Sequence, residues 1–81
     1  MKYTDLIKGE WYYIESTYKW IIKFDYSIDN EYWHTEHVNY ETGKYRNSRQ
    51  YIANPKIIRP ATTEELIKFN IIQIESNYEI Y

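Results

Sequence analysis

The run Tyr18-Lys19-Trp20-Ile21-Ile22-Lys23-Phe24-Asp25-Tyr26 decides the fold. Tyr18, Trp20, Ile22, Phe24 and Tyr26 fall on one side of an extended chain, with Lys19, Ile21, Lys23 and Asp25 on the other. A helix would scatter these residues around its circumference, whereas a strand sorts them, because its side chains alternate with period two. The alternation predicts a half-buried antiparallel strand whose aromatic and aliphatic face meets the core.

Working outward, Glu10-Trp11-Tyr12-Tyr13-Ile14-Glu15, entered through Gly9, predicts a shorter strand joined by Ser16-Thr17. Asp29-Asn30 breaks the pattern on the other side, and a third strand is predicted from about residue 32 to 40. Tyr40-Glu41-Thr42-Gly43-Lys44 reads as a three-residue hairpin loop with Gly43 left-handed, returning as a fourth strand over 45–52. Asn54-Pro55 stops that strand, and Lys56-Ile57-Ile58-Arg59 predicts a fifth, ended by Pro60. Thr62-Thr63-Glu64-Glu65 is a capping box that starts a helix through Leu66, Ile67 and Phe69. Beyond it two patterns compete. Ile67, Ile71, Ile74, Tyr78 and Tyr81 keep helical spacing, while β-branched Ile71, Ile72 and Ile74 favour a helix ending near Asn70 and a final strand over 71–75. The second is the expectation taken forward. The predicted fold is mainly β (α+β): a small antiparallel β-barrel of the Src-homology-three kind with one short C-terminal helix, the OB-type barrel being the nearest competitor. Residues 1–81 form a single domain, with a β-body over 1–59, the helix over 60–70 and an extension over 71–81.

The chain has 81 residues, no cysteine and a formal net charge of −2. A chain of this size buries only about 60–65% of its unfolded surface, so neither a second domain nor a large enclosed active site is expected. Absence of cysteine excludes disulfides and thiolate chemistry. No apolar run approaches the roughly 20 residues needed to span a bilayer, and the opening MKYTDLIKGEWYY is charged and mixed, unlike a signal peptide. A cytoplasmic protein is expected. The sixteen aromatic residues and thirteen isoleucines partly reflect A/T-rich codons, so aromatic content alone does not mark a binding surface.

The net charge conceals a segregation. Residues 5–41 hold eight acids and three bases, whereas 42–63 hold Lys44, Arg46, Arg49, Lys56 and Arg59 and no acid. These cations either cancel against acidic neighbours across the sheet or form a patch whose guanidinium forks receive phosphate or carboxylate. If Tyr40 closes the loop opposite Lys44, one hairpin face carries Trp33/Tyr51, Thr35/Arg49, His37/Asn47 and Asn39/Tyr45. The other carries Tyr32/Ile52, His34/Gln50, Glu36/Ser48 and Val38/Arg46. Trp33, Tyr45 and Tyr51, with Arg49, then make an aromatic and cationic surface suited to stacking a base and holding a phosphate. The candidate ligand-binding residues are Trp33, Lys44, Tyr45, Arg46, Arg49 and Tyr51. The alternative keeps Trp33 and Tyr51 as a cross-strand core pair with the Arg49 stem lying over them.

Other chemistry is missing. His34 and His37 are three apart, which on a regular strand sends them to opposite faces and denies them a shared metal. With only Gly9 and Gly43 there is no glycine-rich phosphate loop, and no serine sits in a nucleophile elbow. No catalytic residue, metal or cofactor is expected, and the chain reads as a non-enzyme.

The segment Ile58-Arg59-Pro60-Ala61-Thr62-Thr63-Glu64-Glu65-Leu66, with Asp5-Leu6 and Gly9-Glu10-Trp11-Tyr12 near the start, resembles small phage and prophage accessory proteins. In these a β-rich body ends in Arg-Pro-Ala-Thr-x-Glu-Glu and a short helix; residues 71–81 depart from that pattern. The resemblance implies a phage-borne protein in a bacterial cytoplasm, acting as an inhibitor of host defence that sequesters a nucleotide signal or blocks a host protein. The residues and the resemblance together lead to a non-catalytic binding protein for a small anionic, nucleotide-like ligand. A protein–protein module facing a host protein is the rival. Single-stranded nucleic acid comes third because the overall charge opposes it. Open strand edges and the Ile-rich tail predict a homo-oligomer.

Overall fold

The computed structural model describes residues 6–72. Six strands, β1 (Trp11–Glu15), β2 (Lys19–Ile28), β3 (Glu31–Asn39), β4 (Tyr45–Arg46), β5 (Gln50–Ala53) and β6 (Ile57–Pro60), precede one helix, α1 (Thr63–Lys68). They form a single antiparallel sheet in the order β4-β3-β2-β1-β6, with β5 also on β3. Asp29 (φ 51°) and Asn30 (φ 64°) form the two-residue turn between β2 and β3. Two successive left-handed residues match the twist of the strands they join, and Asp and Asn tolerate that conformation better than other non-glycine residues. In the next loop Gly43 (φ 77°) is left-handed as expected, and the Asn39 carboxamide accepts from the amides of Glu41 (2.9 Å) and Thr42 (3.0 Å).

Both faces of the sheet are packed. One carries Tyr12, Ile14, Ile22, Phe24, Tyr32 and Ile58, with Leu6, Trp20 and Ile52 against them. The other carries Tyr13, Ile21 and Val38, beneath Leu66 and Phe69 at the helical end and beside Trp11 and Tyr40. This second layer explains why Ile21, in the more polar row of the deciding run, is fully buried. Ile52 and Ile58 come from opposite edges of the sheet yet pack on one cluster. No backbone pairing joins those edges. The sheet is therefore open, and the expected barrel is not supported.

An irregular line crosses the sheet. Lys23 pairs with Glu36, Phe24 with His34 and Tyr26 with Trp33, so Thr35 is an extra residue on β3 and Asp25 an extra residue on β2. Alongside, residues 47–49 leave the ladder and split the expected fourth strand into β4 and β5. A bulge keeps two consecutive residues against one partner and so shifts the alternation of everything beyond it. Two expectations fall for that reason, and a third, the hairpin register, holds only in part. Tyr26 stacks on Trp33 and leaves the row of Trp20, Ile22 and Phe24. His34 and His37 lie on the same face, opposite Phe24 and Ile22, with ring centroids 5.1 Å apart. The hairpin register holds for Tyr32/Ile52, Trp33/Tyr51 and His34/Gln50. Between the loop and the break the pairs are instead His37/Arg46 and Val38/Tyr45, one residue off, because the loop has four residues and Asn39 rather than Tyr40 meets Lys44 (Asn39 amide to Lys44 carbonyl, 2.9 Å).

The capping box forms as read: the Thr62 hydroxyl accepts from the Glu65 amide (3.1 Å), and Glu65 Oε1 accepts from the Thr62 amide (2.9 Å). Asn70 (φ 61°) closes the helix, and the Ile71 amide donates back to the Leu66 carbonyl (2.8 Å). Ile71 and Ile72 do not enter a strand, and the remainder of the expected terminal strand lies outside the described residues.

Candidate ligand-binding site

Beyond the irregular line the sheet is only β2, β3 and β5, and α1 does not reach it. On the face that α1 covers elsewhere, Tyr26, Trp33 and Tyr51 form a row across the three strands. Tyr26 and Trp33 are stacked (centroids 5.8 Å, planes 5° apart), and Trp33 meets Tyr51 at 4.8 Å and 34°. Tyr26 is 43% exposed and Tyr51 is 49% exposed, so both ends of the row present aromatic surface to solvent. Aromatic cross-strand pairs stabilise a sheet unaided, yet that stabilisation does not require the outer rings to remain uncovered.

The row is flanked along the strands by a cation on one side and an acid on the other. Asp25, buried at the bulge, accepts from Arg49 Nη1 at 2.6 Å and pairs with Lys8 Nζ at 3.3 Å. Two cations on one carboxylate leave a net positive charge beside the aromatic row. The Arg49 side chain remains 57% exposed. A guanidinium has five donors in a planar fork, so this bond leaves donors for an anion. Toward the turn, Glu31 Oε1 accepts from the Trp33 indole N–H at 3.3 Å. A ligand stacked on the row would therefore direct its anionic part toward Arg49 and away from Glu31.

The other sequence candidates separate. Tyr45 lies opposite Val38, roughly 15 Å along β3 from Trp33 at about 3.3 Å per residue. It shares the face of the aromatic row, but its hydroxyl donates to Glu36 Oε1 (2.6 Å), a bond that raises its pKa. Arg46 lies opposite His37 on the reverse face, and Lys44 is in the exposed loop. Neither forms an ion pair among the described residues. Arg59 is taken up structurally: it donates to Glu65 Oε1 (2.9 Å) and Oε2 (2.8 Å) and lies 4.2 Å from the centre of the Tyr13 ring. Cancellation across the fold thus applies to Arg49 and Arg59. Trp33 and Tyr51 are in ring contact and Arg49 reaches Asp25, the chain neighbour of the stacked Tyr26, while Lys44, Tyr45 and Arg46 are not part of that group.

Sequence reasoning missed Tyr26 and Asp25. Asp25 follows Lys19 and Lys23 in the more polar row of its strand, where an acid is ordinary, so nothing local announces its burial or the bulge. A cavity of about 430 Å³ opens near the helix C-terminus between Trp11, Glu36, Tyr45 and Phe69. Its one acidic group, Glu36, makes it a poor receiver of anions. Among the described residues no three His, Asp or Glu side chains gather as metal ligands, and no helix is long and apolar enough to cross a membrane. Comparison of the chain with protein-family models, with curated proteins and with solved structures gives no match.

Proposed function

We propose that this chain is a non-catalytic binding protein that holds a flat, anionic, nucleotide-like ligand on Tyr26, Trp33 and Tyr51, with Arg49 as the anion contact. The observation that carries the reading is the aromatic row left uncovered on the helix-free part of the sheet, with an exposed guanidinium held on Asp25 at its flank. Stacking contributes about 1–3 kcal/mol per base, and a hydrogen bond to a charged group about 1.5–3 kcal/mol. Together these suit a ligand of moderate affinity. Resemblance of the Arg59–Leu66 region to phage accessory proteins supports a setting in the bacterial cytoplasm, where capture of a nucleotide signal would blunt host defence. The rival reading, a surface for a host protein, is favoured by Ile28, which is 54% exposed two residues from Tyr26.

Isothermal calorimetry against linear and cyclic mononucleotides tests the proposal. Binding should weaken roughly 5- to 150-fold in Trp33→Ala, the factor that follows from loss of one stacked ring. Arg49→Ala should weaken binding as well, with a smaller salt dependence than the wild type. No heat with any nucleotide at millimolar concentration would exclude this ligand class and favour the protein partner.

A further inference from the structure

The reverse face of the same strands holds a feature that the ligand reading does not use. His34 and His37 are 2% and 5% exposed, their rings meet edge to face, and neither Nδ1 has a hydrogen-bond partner among the described residues. The extra residue Thr35 puts them on one side. Around them β2 contributes Trp20, Ile22 and Phe24, with Trp20 5.1 Å from His37, and β5 contributes neutral Gln50 opposite His34. From β4 comes Arg46, a cation opposite His37. Tyr32 on β3 and Tyr12 on β1 share this face, and the Tyr12 hydroxyl accepts from the Ile7 amide at 2.8 Å. Asp25, the nearby acid, is taken by Arg49 and Lys8. No described carboxylate pairs with either ring.

We infer that His34 and His37 form an acid-operated latch: protonation of the pair releases the β4–β5 edge from β3 while the β1–β2 core and α1 stay folded. An imidazolium here has no counter-ion, faces Arg46, and places a like charge beside the second ring. Protonated Nδ1 must find water. The shortest way to water is through the edge strand, because β4 is two residues long and residues 47–49 hold no ladder. Burial pushes His34 down to about 4, reinforced by repulsion from His37 and only partly opposed by a bond to the Tyr32 backbone. Burial, then Arg46, lowers His37 as well. Both folded values lie below the ordinary 6.5, so the closed edge is favoured above about pH 6.5 and loses that support as the pH falls toward 4. The inference does not depend on the aromatic row being a ligand site.

Imidazole and amide ¹⁵N spectra of the whole chain between pH 8 and 4 test it. The expected result is protonation of both rings below pH 6, accompanied by loss of the Trp33–Tyr51 and Val38–Tyr45 pairings, with the amides of Tyr13, Ile14 and Ile21 unchanged. His34→Phe/His37→Phe should keep the edge closed to pH 4. Protonation near 6.5 with the edge still paired would overturn the latch. So would opening at the same pH in the double variant, or simultaneous loss of core and edge. If the double variant does not fold, the wild-type ring titration alone still decides.

Discussion

Glu65 sets a sharp test of how α1 is fastened to the sheet. Its carboxylate, buried under the helix start, accepts two bonds from Arg59 (2.9 and 2.8 Å), one from the Tyr40 hydroxyl (2.6 Å) and one from the Thr62 amide (2.9 Å). The Arg59 guanidinium, then Tyr40 and the Thr62 amide, overcome burial and hold the carboxyl down at about 2, from an ordinary 4.5. The partners agree in sign: the bond to Glu65 is the leading cause that raises both Arg59 and Tyr40. A displacement of that size corresponds to about 3 kcal/mol at 1.36 kcal/mol per pH unit. Glu65→Gln should therefore lose about 3 kcal/mol at pH 7, read from urea denaturation followed by far-UV circular dichroism. With a slope near 1 kcal/mol per molar urea, the midpoint falls by about 3 M. The folded value lies below the unfolded one, so the stabilisation is complete above pH 4.5 and disappears as the pH falls toward 2. The gap between wild type and variant should close over that window. A variant within 0.5 kcal/mol of wild type at pH 7, or a gap of constant size down to pH 2.5, would refute the reasoning.

Thr62→Ala removes the hydroxyl that accepts from the Glu65 amide and should cost about 1 kcal/mol, with faster hydrogen exchange at that amide. Ile21→Ala empties a fully buried site between sheet and helix and should cost about 2–5 kcal/mol, whereas Ile28→Ala, at a half-exposed position, should change the denaturation midpoint little. Asp25→Asn leaves Arg49 and Lys8 uncompensated; it should lower stability by roughly 1–3 kcal/mol and tighten nucleotide binding in calorimetry, since the full charge of Arg49 then faces the ligand.

What could be read from the residues follows from the range over which each signal acts. The capping box, the left-handed Gly43 and the pairing of β1 with β2 depend on neighbours in sequence and formed as expected, whereas the loop before β4 has four residues where three were expected, with Asn39 rather than Tyr40 closing it against Lys44. Trp33 and Tyr51 were legible as a pair because the longer loop and the irregularities at Thr35 and residues 47–49 offset one another, so the expected register returns at β5. The extra residues Asp25 and Thr35 were not legible, because a bulge is set by packing on both faces of a sheet. The period-two rule therefore sent Tyr26 to the core and the two histidines to opposite sides. Closure into a barrel was likewise beyond reach: it depends on whether two distant edges pair, and here they share a cluster without sharing hydrogen bonds.

The turns have one more consequence. Among the described residues four that are not glycine, Asp29, Asn30, Asn54 and Asn70, adopt left-handed backbone angles, in a chain with only two glycines. A side chain at such a position costs something in the native state, but it also narrows the freedom of the denatured chain, where glycine would roam most widely. The opposing terms are each on the order of 0.4–1 kcal/mol per site, so the corners add little net stability. Their effect falls on the unfolded ensemble: with Asp or Asn at these corners, the denatured chain has less conformational entropy to surrender when it folds.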